Sequence, residues 1–271
     1  MSVTNENFLY IIGQLKDKSG IIISEEKMYL IESRLTPLAR SMGLEGIDGL
    51  ISKARMDRQT MSEIVDAMTT NETSFFRDIS PFDKLRDIII PNVVGKSLSP
   101  KLRIWSAAAS TGQESYSVAM TVKENESSLN GKQVEIVGTD INNKVLDRAR
   151  EGLYSQFEIQ RGLPISHLMK YFKQLESYGE KWQVNDELKN MTKFQCLNLL
   201  DSYSSMGDFD IIFCRNVLIY FEKDVKRQII KKLVSCLKPN GFLMLGSSES
   251  INDLTDELVT FDGNIGVYCH K

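Results

Sequence analysis

Residues 104–114 read Ile-Trp-Ser-Ala-Ala-Ala-Ser-Thr-Gly-Gln-Glu, and no other stretch restricts the fold as strongly. A short apolar strand runs into a turn of very small residues, and Gly112 then opens a helix over 115–122. Small residues matter there because a ligand approaches the backbone closely only where side chains do not block it. The helix N-terminus just beyond presents free N–H groups to polar or anionic atoms. One strand later comes Val-Glu-Ile-Val-Gly-Thr-Asp, ending on Asp140. An acid at the tip of a second parallel strand is where a doubly wound α/β fold holds ribose hydroxyls. A cradle followed by such an acid points to a nucleoside-bearing cofactor. The G-x-G-x-x-G fingerprint is absent, which argues against a dinucleotide.

The 271 residues allow one large domain or two smaller ones with a substantial core. Net charge is −3, so a global electrostatic case for nucleic-acid binding is missing, and a polyanion site has to be a local patch. No apolar run approaches membrane-spanning length, and residues 1–7 are polar rather than signal-like. The four cysteines, at 196, 214, 236 and 269, form no C-x-x-C pair and read as free thiols of a reducing, cytoplasmic compartment. Two histidines, His167 and His270, give no support to a nucleophile–histidine site, and no metal-ligand cluster is evident.

Residues 1–70 carry only helical patterns. Phe8, Ile11, Ile12 and Leu15 share one face. Ser24, followed by Glu25 and Glu26, reads as the cap of a second helix with Met28, Ile31 and Leu35 inward, kinked at Pro37 and closed by Gly43. Two more helices cover about 47–54 and 60–68. After the polar-aromatic run Asn71–Asp78, Ser80 reads as an N-cap with Pro81 first in a helix to about Val94. From Leu102 onward strands alternate with helices, the sign of a parallel sheet, with strands near 102–107, 134–139, 209–214, 241–246 and 265–270. Lys238-Pro-Asn-Gly241 reads as the turn between a helix over 223–237 and the next strand. Across 155–197 the alternation lapses. A helix over 165–172 and the runs Trp182-Gln-Val184 and Phe194-Gln-Cys196 suggest a small antiparallel insertion.

Asn71-Glu-Thr-Ser-Phe-Phe-Arg77, Trp105–Glu114, Gly138-Thr-Asp140, Asn198-Leu-Leu200 and Phe213–Phe221 together resemble the bacterial chemotaxis receptor glutamate O-methyltransferases of CheR type. The resemblance spans nearly the whole chain. It implies an α/β fold: a class I S-adenosylmethionine-dependent methyltransferase (Rossmann-like) domain with a small antiparallel β insertion, preceded by a small all-α domain. The expected boundaries are 1–70 for receptor recognition, 71–100 for a linker and helix contributing to the cofactor site, and 101–271 for the methyltransferase domain, with 155–197 as the insertion. The implied cofactor is S-adenosylmethionine, released as S-adenosylhomocysteine, with no metal.

Residue by residue, the resemblance implies that Asn71, Thr73 and Arg77 reach the cofactor from the linker. Glu114 meets its amino group, Asp140 its ribose, and Asn198 and Leu199 its adenine. Arg215 and Asn216 form a polar pair after the fourth strand, and Tyr220 stands near the transferred methyl. Tyr220 and Arg77 are the catalytic candidates, Arg77 chiefly for cofactor binding and closure of the site. On residue type alone, Asp140 also suits a helix cap and Glu114 a first-turn acid facing the helix dipole.

The implied partner is the cytoplasmic helical bundle of a chemoreceptor, engaged through Arg34 and Arg40 of the helical domain by a monomer that enters no membrane and binds no nucleic acid. Some members grip a receptor tail with a glycine-rich loop of the insertion, whereas the matching stretch 174–182 has one glycine. Competing readings are the same fold acting on RNA or a small molecule, and a non-catalytic cofactor-sensing module.

Overall fold

The structure, a computed structural model, describes residues 3–175 and 181–271, and the chain divides into two compact units. One comprises Met1–Thr70 with Tyr220–Val225, the other Asn71–Ile219 with Lys226–Lys271.

The first unit is helical. Helices α1 (Asn5–Ser19), α2 (Met28–Ser41), α3 (Gly46–Met56) and α4 (Arg58–Met68) bury Phe8, Ile11 and Leu15 of the first against Ile31, Leu35, Leu50, Ile51, Ile64 and Val65 of the others. Ser24 does not cap α2. A single 3₁₀ turn intervenes, in which the Ser24 carbonyl accepts the Lys27 N–H (2.9 Å), and α2 starts at Met28 with no side-chain cap. The clearest cap is Asp57, whose carboxylate accepts the N–H groups of Gln59 and Thr60 at the head of α4. Within the same unit Lys16 pairs with Glu222 at 3.1 Å.

The second unit opens with the linker. Ile79, rather than Ser80, is the N-cap of α5 (Ser80–Lys84), because the chain turns at left-handed Phe76, Asp78 and Ile79 and the helix begins one residue early. A π-helical turn (Leu85–Ile89) joins α5 to α6 (Ile90–Lys96). Pro91 has no N–H for the carbonyl four residues back, and the Ile90 N–H reaches Leu85, five back.

The sheet follows as β1 (Lys101–Ala107), then α7 (Gln113–Glu124), β2 (Gln133–Asp140) and α8 (Asn143–Glu151). The insertion holds β3 (Leu153–Ser155), α9 (Gln156–Gln160), α10 (Ile165–Tyr171), β4 (Phe172–Leu175) and β5 (Lys181–Val184), the strands forming a separate antiparallel sheet in the order β3-β5-β4. The glycine at 179 and the rest of 176–180 lie outside the described residues. After α11 (Asp186–Lys189) come β6 (Thr192–Cys196), β7 (Phe209–Cys214), α12 (Lys223–Ser235), β8 (Leu237–Leu245), β9 (Leu258–Thr260) and β10 (Val267–His270).

The large sheet runs β6-β2-β1-β7-β8-β10-β9, parallel except for β10, which is antiparallel to both neighbours. Two expectations are corrected. Phe194-Gln-Cys196 is not part of the antiparallel insertion but the parallel edge strand beside β2, in register Gly138↔Phe194 and Asp140↔Cys196. Lys238–Gly241 is no turn between elements. Helix α12 stops at Ser235, and these residues form an irregularity inside β8, where the register against β7 jumps from Phe209↔Leu237 to Ile211↔Phe242. Strand order reverses between β1 and β7, so the crevice of this doubly wound sheet opens past their carboxyl ends.

Candidate functional site

The turn after β1 builds the crevice floor. Ala108 (φ 59°), Ser110 (φ 50°) and Gly112 (φ 92°) alternate into the left-handed region, and each non-glycine residue there costs on the order of 1–3 kcal/mol. Surrounding bonds hold the turn. Ala109 N–H donates to Thr139 O (2.8 Å), Tyr154 Oη donates to Thr111 O (2.7 Å), and Ser110 Oγ donates to Asn71 O (2.8 Å). Gly112 is required twice over, by its φ and because a Cβ there would lie 2.9 Å from Ala149 Cβ. At Gly138 a Cβ would stand 2.6 Å from the Phe194 ring and 3.0 Å from Ser115 Oγ.

Asp140 ends β2 and is only 6% exposed. Its two oxygens accept Ser110 N–H (2.9 Å) and Asn142 N–H (3.0 Å). It is not the helix cap, since Asn142 caps α8 through Lys144 and Val145. Burial pushes the carboxyl up, and the backbone N–H groups of Asn142, Ser110 and Ile141 only partly offset this. Leu197 N–H donates to Asp140 O (3.0 Å), which brings the Asn198–Leu199 turn to the same strand end. Asn198 Oδ1 accepts Leu200 N–H, and Leu199 is buried.

Glu114, in the first turn of α7, accepts Ser106 Oγ (2.8 Å) and pairs with Arg215 (2.9 Å). Arg215 spans the crevice. Its side chain is 1% exposed, Nη1 holds Glu114, and Nη2 donates to Arg77 O (2.9 Å) and Asp78 Oδ2 (2.8 Å), while Nε has no partner among the described residues. One guanidinium therefore ties the linker to the cradle across the two central strands. Asp78 lies in the polar-aromatic run, but its role has no signal in the sequence.

Glu249 was missed altogether. Buried in the loop after β8, it accepts the N–H groups of Asn216, Val217, Leu218 and Gly246 at 2.7–2.9 Å. The Ser247-Ser-Glu-Ser250 run after a strand is its only sequence trace. Cys214, fully buried at the end of β7, has its thiol pushed well up by burial, with Glu249 and Glu114 adding to the effect.

The remaining candidates stand as follows. Asn71, Thr73 and Arg77 are half-buried in the linker, where Arg77 Nη1 donates to Glu72 O (3.1 Å). Tyr220 is 41% exposed in a segment that groups with the helical unit. Arg34 closes the carboxyl end of α4, donating to Met68 O (2.6 Å), Thr69 O (3.1 Å) and Thr70 Oγ1 (3.2 Å). Arg40 is exposed. Among the described residues no cluster of metal-ligating side chains occurs.

A parallel α/β sheet with a strained small-residue turn, a buried acid on the next strand and a ligand crevice at the switch point defines a class I methyltransferase. Two family models cover the chain, the all-alpha domain of CheR methyltransferases over residues 6–69 and their SAM-binding domain over 71–267. The chain is 41% identical over 261 residues to chemotaxis protein methyltransferase 1 of Pseudomonas aeruginosa, covering 94% of each chain. It is 40% identical over 272 residues to the chemotaxis protein methyltransferase of Vibrio parahaemolyticus, covering 98% of this chain and 97% of that one. It is 33% identical over 261 residues to the Salmonella typhimurium protein of that name, covering 95% and 88%. The chain belongs to the CheR methyltransferase family.

The cradle and its acids fit S-adenosylmethionine. A carboxylate has about four acceptor positions. Asp140 accepts backbone N–H groups and Glu114 two side-chain donors, and both retain acceptor capacity on the crevice side of the fold.

Proposed function

We propose that this protein transfers a methyl group from S-adenosylmethionine to glutamate side chains of chemoreceptors, working in the cytoplasm as a monomer on the receptor's helical bundle. The carrying observation is Asp140, a buried carboxylate held by backbone N–H groups and set against the strained turn. Asp140 holds the ribose, Glu114 the amino group, and Asn198 and Leu199 the base. Asn71, Thr73, Arg77, Arg215 and Asn216 close the site around them. The bound cofactor supplies an electrophilic methyl group.

The chain's own residues bind, orient and exclude water. A glutamate acceptor is already ionised at neutral pH, so no side chain has to remove a proton. Catalysis then rests on placing the carboxylate in line with the methyl. Tyr220 orients the acceptor or the methyl by hydrogen bonding. Arg77 serves binding and closure, since a grip on the attacking oxygen would stabilise the ground state.

Methyl-labelled cofactor incubated with chemoreceptor-bearing membranes tests this reading. Base-labile label on the receptor is the expected result, and label on RNA, or none, overturns it. In the same assay Tyr220→Phe lowers turnover more than cofactor affinity. Wild-type turnover in that variant removes Tyr220 from the chemistry. Arg40→Glu impairs methylation at low salt without altering cofactor binding, as a screened docking charge should. Equal rates for wild type and variant at low salt remove Arg40 from the docking surface. Arg34→Glu is a poorer probe, because Arg34 also holds the end of α4.

A further inference from the structure

We infer that Glu249 is a positioning residue, its carboxylate filling an anion nest formed by the turn after β7 and thereby fixing Asn216 and the run leading to Tyr220. The inference rests on the roles proposed for those two residues. Three successive N–H groups converge on one carboxylate. Asn216 donates to Oε2 (2.8 Å), and Val217 (2.9 Å) and Leu218 (2.7 Å) donate to Oε1. Consecutive N–H groups converge in this way where the backbone changes hand, and Asn216 sits in the left-handed region at φ 57°. A non-glycine residue in that region needs outside support.

The fourth donor, Gly246 N–H, joins Oε2 at 2.8 Å, while Glu249 N–H donates to Gly246 O at 3.0 Å. The acid is thus anchored to β8 and reaches across to β7. A Cβ on Gly246 would stand 2.7 Å from Glu249 Oε2 and 3.0 Å from Asn216 N, so only glycine admits this closeness. A carboxylate that is 8% exposed is costly to bury unless every oxygen is hydrogen-bonded, and here backbone dipoles do that work. Arg215, immediately before the nest, pairs with Glu114, and the 3₁₀ turn Leu218–Tyr220 begins at the last donor. The nest therefore sets the path of the chain between two proposed site residues.

Glu249→Ala empties the nest, and Glu249→Gln fills it with a group whose NH₂ meets two N–H donors. Binding of S-adenosylhomocysteine is measured by calorimetry, and turnover by label transfer, in formate or in chloride at matched ionic strength. In chloride, affinity falls by about tenfold and turnover by about a hundredfold in the alanine variant. Formate, small enough to enter the vacated nest, recovers both there and neither in the glutamine variant. Wild-type values in the alanine variant overturn the inference. So does a loss that formate leaves unchanged and that tracks a lower melting temperature equally in both variants. If the alanine variant does not fold, the glutamine variant decides: a selective loss at wild-type melting temperature supports positioning, and wild-type values overturn it. Should the wild type bind S-adenosylhomocysteine yet label no receptor, the acceptor assignment fails while the binding measurements still report on Glu249.

Discussion

Strand β2 carries an acid near each end, and the two are held in opposite ways. At its start, Glu135 accepts Lys193 Nζ (2.6 Å) and Arg103 Nε (2.9 Å), and these partners hold its carboxyl down at about 2. At its end, Asp140 accepts backbone N–H groups, and burial pushes it up. Asp210, at the start of β7, repeats the first pattern with Lys238 at 2.8 Å. The amino ends of these strands neutralise charge with side chains near solvent. The carboxyl ends keep carboxylates whose acceptor capacity is left for something else. Shifted in this direction, Asp140 contributes less to the fold at neutral pH than it does below its unfolded pKa.

Arg215 is the exception, a cation at the carboxyl end, and removing it should have the largest effect. Arg215→Met leaves Glu114 and Asp78 without their partner and lowers unfolding stability on the order of 3 kcal/mol in urea denaturation. Arg215→Lys recovers little, because a single ammonium cannot reproduce the planar fork over three acceptors. An unchanged urea midpoint in the methionine variant would show that the crevice is held together without this guanidinium.

Asp140→Ala comes next. It weakens S-adenosylhomocysteine binding by about 1.5–3 kcal/mol, one charge-assisted contact, while stability changes little. The sign follows from the raised carboxyl. An acid whose folded pKa lies above its unfolded one stabilises the fold below the unfolded value and loses that contribution as pH rises through the folded value. At neutral pH its removal relieves the burial of a charge and offsets the lost N–H bonds. Unchanged affinity in calorimetry would break the contrast between the two ends of β2.

Glu135→Gln has the smallest effect, under about 1 kcal/mol at neutral pH for a partly exposed pair. Here the sign reverses. The contribution of a depressed carboxyl is complete above its unfolded value of about 4.3 and fades as pH falls towards about 2. Melting temperatures of wild type and variant should converge across that window. A gap that widens on acidification would show that the pairing with Lys193 and Arg103 does not set the carboxyl.

Much of the architecture was legible in the chain because its signals are local. The small-residue turn with Gly112 is one unbroken run and the strand ending on Asp140 is another, and the face of Phe8, Ile11 and Leu15 repeats at helical spacing. Phe194-Gln-Cys196 reads as part of the antiparallel insertion because a short apolar run has the same period in a parallel edge strand as in a hairpin. Lys238–Gly241 carries strong turn chemistry, and the turn exists, but as an irregularity within β8. Glu249 left almost no trace because its partners are N–H groups some 30 residues earlier in the chain, and every residue except proline carries one. The structural bonds of Arg34, read from the chain as a docking residue, are hidden for the same reason, since its partners at the end of α4 are carbonyls.

The edge position of β6 gives the molecule a built-in place for a reporter group. Its last residue, Cys196, is exposed, lies in register with Asp140 and bonds Ile141 O at 3.6 Å, whereas Cys214 and Cys236 are buried and Cys269 is half-buried. Burial raises the last three thiols, which keeps them protonated and slow towards electrophiles. A thiol-directed fluorophore therefore attaches beside Asp140 without any engineered cysteine, and its emission reads events at that strand end in an otherwise unmodified chain.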